Sequence, residues 1–343
     1  MRHDGRRVLI TGGYGFVASH LAQRLVEEGA ECVTIAVERP AESYLALAGV
    51  EGRLAVSFGS ITEAAVVERV LNDHGVQVVF HLAAQAIVGA ASRSPLPTLE
   101  SNVRGSYVLL EECRRAWREG AGDLQAVVVA SSDKAYGEQR ELPYTEAHSL
   151  SGLNPYDASK VCTDVLTRCY AHSFGLPAAV TRCANIYGPG DLNFSRMVPS
   201  VMRDLVEGRR PVIRSDGSPV RDYLYVDDAV AGYLALAEAV LEGRLPGEAM
   251  NFGTGEPVSV LEVTREIVEA SGRTALEPDV QGQAAGEISR QYIDASRARE
   301  ALGWAPETTR REGLRRSWEW YEAYLSGRLK GGGTAGTGRA GQA

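Results

Sequence analysis

A chain of 343 residues, 44% apolar and 23% charged, has enough material for a large core in one or two domains and shows ordinary globular usage. A formal net charge of -8 argues against a nucleic-acid or membrane-surface partner, although a local basic groove is still compatible with phosphates. The cysteines (Cys32, Cys113, Cys162, Cys169, Cys183) are scattered without CxxC spacing, so a disulfide framework and a zinc site are not expected, and reduced core thiols in a cytoplasmic protein are. No apolar run approaches the ~20 residues of a bilayer span, and the basic start runs straight into a strand, so a signal peptide is not expected.

From the N-terminus, Arg7-Val8-Leu9-Ile10 reads as a short buried strand, followed by Thr11-Gly12-Gly13-Tyr14-Gly15-Phe16-Val17-Ala18. Residues 20–28 then carry apolar side chains at helical spacing (Leu21, Leu25, Val26) and stop at Gly29. Strand, glycine-rich turn and helix form the context in which a dinucleotide loop is expected. Gly12 allows the tight turn, Gly15 lets backbone N–H groups approach a pyrophosphate at the helix N-terminus, and Ala18 permits close helix–strand packing. The second strand, residues 31–37, ends near the residue expected to read the adenosine ribose. Glu38 is placed to take the ribose hydroxyls and Arg39 to stack on adenine or meet a 2′-phosphate, which favours NAD and leaves NADP open.

Residues 54–58 form a third strand, and Gly59-Ser60-Ile61-Thr62 begins a loop and helix cap. Residues 78–85 form a fourth, whose small residues leave room for a dinucleotide across its end. His81 within it reads as a packed histidine rather than a base, since strand residues ahead of that turn face the core. An amphipathic helix is expected over 102–115 and a fifth strand over 127–130. This alternation predicts an α/β fold with a doubly wound parallel sheet and a ligand at the carboxyl ends of its strands.

The fifth strand ends in Ser131-Ser132-Asp133-Lys134, and a later helix start carries Tyr156-Asp157-Ala158-Ser159-Lys160. A Tyr and a Lys four apart lie on one helix face. The ammonium there is expected to pull the phenol below its usual value near 10. Ser132 could bond the same substrate oxygen, giving a device that takes a proton from a sugar hydroxyl while hydride leaves its carbon.

From Gly188-Pro189-Gly190-Asp191 the texture changes to helical segments, over 196–207, 227–242 and 258–270, with short strands between. Residues 1–187 are expected to bind the dinucleotide, with later strand exchange, and 188–330 to form a smaller α/β substrate-binding portion. The helix over 314–325 carries Trp318, Trp320 and Tyr321, read as core, and the Gly-rich tail 331–343 as disordered.

These residues resemble the extended short-chain dehydrogenase/reductases that act on nucleotide sugars. The resemblance rests on Thr11-Gly12-Gly13-Tyr14-Gly15-Phe16, His81-Leu82-Ala83-Ala84, Tyr156 with Lys160, Arg182 through Tyr187-Gly188-Pro189-Gly190, Arg221-Asp222-Tyr223 and Leu302-Gly303-Trp304. It implies a Rossmann-type sheet holding NAD through Gly12, Gly15, Phe16, Val17, Glu38, Arg39, Ser60, Ile61, Leu82, Ala83, Ala84, Tyr156 and Lys160. It also implies a nucleotide-diphosphate-sugar substrate near Gln85, Asn185, Asn193, Arg221 and Arg290, with Arg196 and Arg214 held more loosely. A homodimer through the 102–115 and 156–170 helices is implied too. Ser132-Asp133-Lys134, with Gln85, is similar to CDP-glucose 4,6-dehydratases, whereas the dTDP-glucose enzymes carry Asp-Glu. In that chemistry C4 is oxidised, the C5 proton is lost, the C6 hydroxyl leaves as water and hydride returns to C6. Asp133 is then the acid at C6, and Lys134 is, or positions, the base at C5. The Tyr187-Gly188-Pro189-Gly190 segment is epimerase-like, so a 4-epimerase is the alternative, with a non-catalytic dinucleotide sensor behind it.

Overall fold

The computed structural model describes residues 3–118, 123–283 and 288–329. Its central sheet contains β1 (Arg7–Thr11), β2 (Glu31–Ala36), β3 (Ala55–Phe58), β4 (Val78–His81), β5 (Ala126–Ala130), β6 (Ala178–Cys183) and β7 (Ala249–Phe252). All seven are parallel, in the order β7-β6-β5-β4-β1-β2-β3. The chain leaves β1 toward one edge and returns at β4 toward the other, which opens a crevice between the carboxyl ends of these two strands.

Strand alternation sends neighbouring side chains to opposite faces. Val8 and Ile10 of β1 pack with α1 (Phe16–Glu27) and a later helix, Val226–Leu241, while Leu9 packs with α2 (Ala64–Asp73) and α3 (Gly105–Arg118). Helices therefore cover both faces, as the alternating pattern predicts. A further helix, α4 (Pro155–Phe174), lies against α3 and β6. Among the boundaries that differ from expectation, two bear on the site. β4 ends at His81, not residue 85, because the Ala83 N–H leaves the ladder to donate to Thr11 Oγ1 at 3.1 Å. The expected 102–115 helix starts as a wider turn, Glu100–Arg104, before α3 proper.

Beyond residue 188, helices Met197–Val206, Val260–Ser271 and Arg310–Leu325 share a separate core. Trp318 and Tyr321 are buried in it, and the Tyr321 hydroxyl donates to the Asp191 carbonyl at 2.7 Å. A small sheet joins Val258–Ser259, Val220–Arg221 and Arg290–Gln291, with Gln291 in register with Arg221. Chain from this half returns as β7 to complete the main sheet. Cys32, Cys113 and Cys183 are buried thiols, but Cys162 and Cys169 are exposed, correcting the expectation of core thiols throughout: both point from α4 away from the sheet. Among the described residues no helix is long and apolar enough to cross a membrane. The tail 331–343 lies outside the described residues.

His20 joins the two halves. Its Nε2–H donates to the Pro189 carbonyl at 2.8 Å and its ring stacks on Tyr44, centroids 4.0 Å apart. Burial pushes its pKa down to about 4, and the hydrogen bond to the Pro189 carbonyl offsets only part of that. The unfolded chain binds this proton near pH 6.5, the native state only near 4, so stability falls as pH drops through that window. Replacing His20 with Gln should remove about 3 kcal/mol of the stability lost between pH 6.5 and 4. Urea unfolding across that range checks this; an unchanged pH dependence would contradict it.

Candidate active site

The crevice is part of a cavity of about 1300 Å³, larger than a drug-sized pocket and able to hold two bulky ligands end to end. At one end lies the turn after β1. Gly12 has φ +72°, and a Cβ there would meet the Ala83 Cα at 2.9 Å, so only glycine lets β1 and β4 exits approach this closely. Gly15 opens α1 without a side-chain cap, which leaves first-turn N–H groups facing the cavity for an anion. Gly12, Gly15, Phe16, Val17, Leu82 and Ala84 line this end. Uncapped N–H groups and a glycine cradle fit the pyrophosphate of NAD.

His81 closes the floor as a structural residue. The Ser106 hydroxyl donates to the Asn102 carbonyl and so accepts from His81 Nε2–H at 3.1 Å, leaving Nδ1 to accept from Thr11 Oγ1 at 2.8 Å. Burial, with Lys160 nearby, lowers its pKa to about 3, so it stays neutral. Asn102, missed in the sequence, bonds the Gln85 backbone through both amide ends and donates to Ser159 Oγ at 2.8 Å, pinning the β4 exit to α4.

The turn after β5 gathers the candidate acid–base groups. Ser132 caps a 3₁₀ turn, Asp133–Tyr136: its Oγ accepts from the Lys134 N–H at 3.2 Å and donates to Asp133 Oδ1 at 3.1 Å. Asp133 is buried and its Oδ2 has no hydrogen-bond partner, with the Lys134 ammonium 3.9 Å away. Ser132, Asp133, Lys134, Tyr156 and Lys160 all line the same cavity. One expectation is corrected. Burial raises the Tyr156 phenol to about 12; the Arg196 cation and the neighbouring Ser132 hydroxyl act against this, while the Lys160 ammonium, itself pushed down to about 8 by burial, donates to the Ala130 carbonyl at 2.7 Å.

The lining contributed by the second half is rich in arginine. Arg196, Arg203, Arg214 and Arg221 line it together with Asn185 and Asn193. Arg196 precedes helix Met197–Val206 and pairs with Asp191 at 3.0 Å. Arg203, also missed in the sequence, stacks over Phe194 and has a buried Nε with no hydrogen-bond partner. Asp222 is buried, and its carboxylate accepts the Thr254 and Gly255 N–H groups, each at 3.1 Å, which fixes the strand that carries Arg221.

Other expected ligands do not line the cavity. The Gln85 side chain folds back to accept the Ile87 N–H at 2.8 Å. Arg290 is exposed with its guanidinium over Tyr292, while its neighbour Gln291 faces inward. Glu38 is exposed, and Arg39 pairs with Glu51 at 2.9 Å beyond the end of β2. Ser60 bonds Thr62, and Ile61 is buried in the core against α3. Ala83 is spent on the approach of Gly12.

The family described as GDP-mannose 4,6 dehydratase matches residues 9–317. The dTDP-glucose 4,6-dehydratase 1 of Escherichia coli (strain K12) is 30% identical over 341 residues, 92% of each chain. Among solved structures, a dTDP-glucose 4,6-dehydratase from Streptomyces venezuelae with NAD bound superposes with TM-score 0.82 at 28% identity, covering 94% of this chain and 100% of that one. A UDP-glucose 4-epimerase from Thermotoga maritima with UDP-glucose gives TM-score 0.83 at 29% identity, covering 93% and 99%. With its parallel sheet, glycine turn and Ser–Tyr–Lys cavity, this chain belongs to the GDP-mannose 4,6 dehydratase family, among the extended short-chain dehydrogenase/reductases of nucleotide sugars.

Proposed function

We propose that this enzyme removes water from an NDP-hexose to give the NDP-4-keto-6-deoxyhexose. The observation that carries this reading is the Asp133–Lys134 pair, which shares the cavity with Ser132 and Tyr156 and keeps one buried carboxylate oxygen without a hydrogen bond. A 4-epimerase has no need of such a pair, because its ketone is only turned over and reduced again. NAD, held at the glycine turn, supplies reversible acceptance of a hydride. Tyr156 takes the C4 hydroxyl proton, favoured in that role by the Arg196 cation. Asp133 delivers a proton to the departing C6 hydroxyl, since hydroxide is a poor leaving group, and Lys134 serves or positions the base at C5. Arg196 and Arg221 take the diphosphate.

Among nucleotides we infer CDP-glucose, from the Ser132-Asp133-Lys134 sequence. The reading includes residues 1–187 plus β7 as the NAD-binding unit and 188–330 as the substrate portion. It also includes a homodimer through α3 and α4, where Tyr107, Val165 and Phe174 are exposed. Incubation with NAD and CDP-, dTDP-, UDP- and GDP-hexoses, read by mass spectrometry, tests it. Loss of one water supports the dehydratase, with fastest turnover of CDP-glucose. Unchanged mass with altered retention would replace it by a 4-epimerase, and no turnover by a dinucleotide sensor.

A further inference from the structure

Gln291 is almost fully buried and sits at the join of the two halves. Its Nε2 donates to the Asp133 carbonyl at 3.2 Å, and its Oε1 accepts from the Lys134 ammonium. The amide cannot be turned round, because a carbonyl only accepts and an ammonium only donates. One side chain therefore grips two consecutive residues of the turn, holding the ammonium between its own oxygen and Asp133 Oδ2. Its backbone is in register with Arg221, on a strand that Asp222 fixes in turn. The diphosphate end of the cavity and the acid–base turn are thus joined through a single residue.

We propose that Gln291 is a positioning residue for the water-loss step: it aims the Lys134 ammonium beside Asp133 and leaves oxidation at C4 to Ser132 and Tyr156. An amide suits this task because it orients the ammonium without adding charge. A glutamate would hold Lys134 in an ion pair and, when ionised, would lose the donor to the Asp133 carbonyl. The inference rests on the dehydratase reading.

The test uses the NAD-loaded enzyme with the NDP-glucose that the wild type turns over best, comparing wild type with Gln291→Glu and Gln291→Met. C4 oxidation is followed as transient absorbance at 340 nm, C5 chemistry as deuterium uptake from D₂O, and water loss by mass. Both variants should lose about 10²-fold in kcat for water loss and C5 exchange, with KM and the rate of C4 oxidation within about threefold of wild type. Gln291→Glu is nearly isosteric and guards against a folding failure of Gln291→Met. Equal slowing of C4 oxidation and water loss, or unchanged kcat in a folded variant, would overturn the inference. A wild type that loses no water from any substrate would instead overturn the dehydratase reading.

Discussion

Replacing Asp133 with Asn, or Lys134 with Met, is expected to slow water loss by about 10²- to 10⁴-fold each while leaving NAD binding intact. Asn keeps the size of Asp and still accepts from Ser132 at the Oδ1 position, so the turn survives. An amide cannot deliver a proton to a leaving hydroxyl, so the chemistry does not survive. Met keeps the stem of Lys134 and removes its ammonium, which leaves the buried Gln291 oxygen without that donor at a cost of about 1–3 kcal/mol. Steady-state water loss, NAD titration and thermal unfolding measured together separate the effects. Water loss at the wild-type rate in either variant would remove the role assigned to that side chain. Loss of NAD binding in step with activity would mean that the turn, not the proton transfer, had been damaged.

The second large effect concerns stability. Arg182 of β6 is buried and forms a bidentate pair with Asp164 of α4, at 2.8 and 2.9 Å. Its remaining nitrogen donates to the Tyr136 hydroxyl at 2.9 Å, and that hydroxyl donates to Asn251 of β7 at 2.7 Å. The network ties together the helix bearing Tyr156, the 3₁₀ turn bearing Asp133 and the strand returned from the second half. Replacing Asp164 with Ala leaves a guanidinium buried without its counter-charge, and should cost about 3–5 kcal/mol. In urea the midpoint should fall with little change in slope. Replacing both partners, Asp164 with Leu and Arg182 with Met, should recover part of that loss, since no charge is then stranded. A single replacement with no effect on the midpoint would show that the buried pair is dispensable.

Much of the cofactor end is legible in the sequence because it is built from local rules. A strand, a glycine turn and an amphipathic helix lie within 7–27, and each is fixed by near neighbours. The same holds for Ser132 to Lys134 and for Tyr156 with Lys160. What the sequence hides is which distant residue answers a local one. Gln291 reaches Asp133 across 158 positions, and nothing in its neighbourhood marks it. Arg290 is the more conspicuous choice by charge, yet strand alternation turns it outward and Gln291 inward. Gln85 and Arg39 show the same limit in another way: each side chain is engaged nearby, by the Ile87 N–H and by Glu51. The Tyr156 phenol departs from expectation because Lys160 meets a backbone carbonyl and burial dominates the balance.

The most direct test of the whole reading uses hexoses deuterated at C4. The enzyme with NAD is given CDP-[4-²H]glucose and dTDP-[4-²H]glucose, and product mass and label position are read by mass spectrometry and NMR. A product lighter by one water with deuterium at C6 is the predicted result, since the hydride removed from C4 must come back two carbons away. A product of unchanged mass with deuterium still at C4 would contradict it.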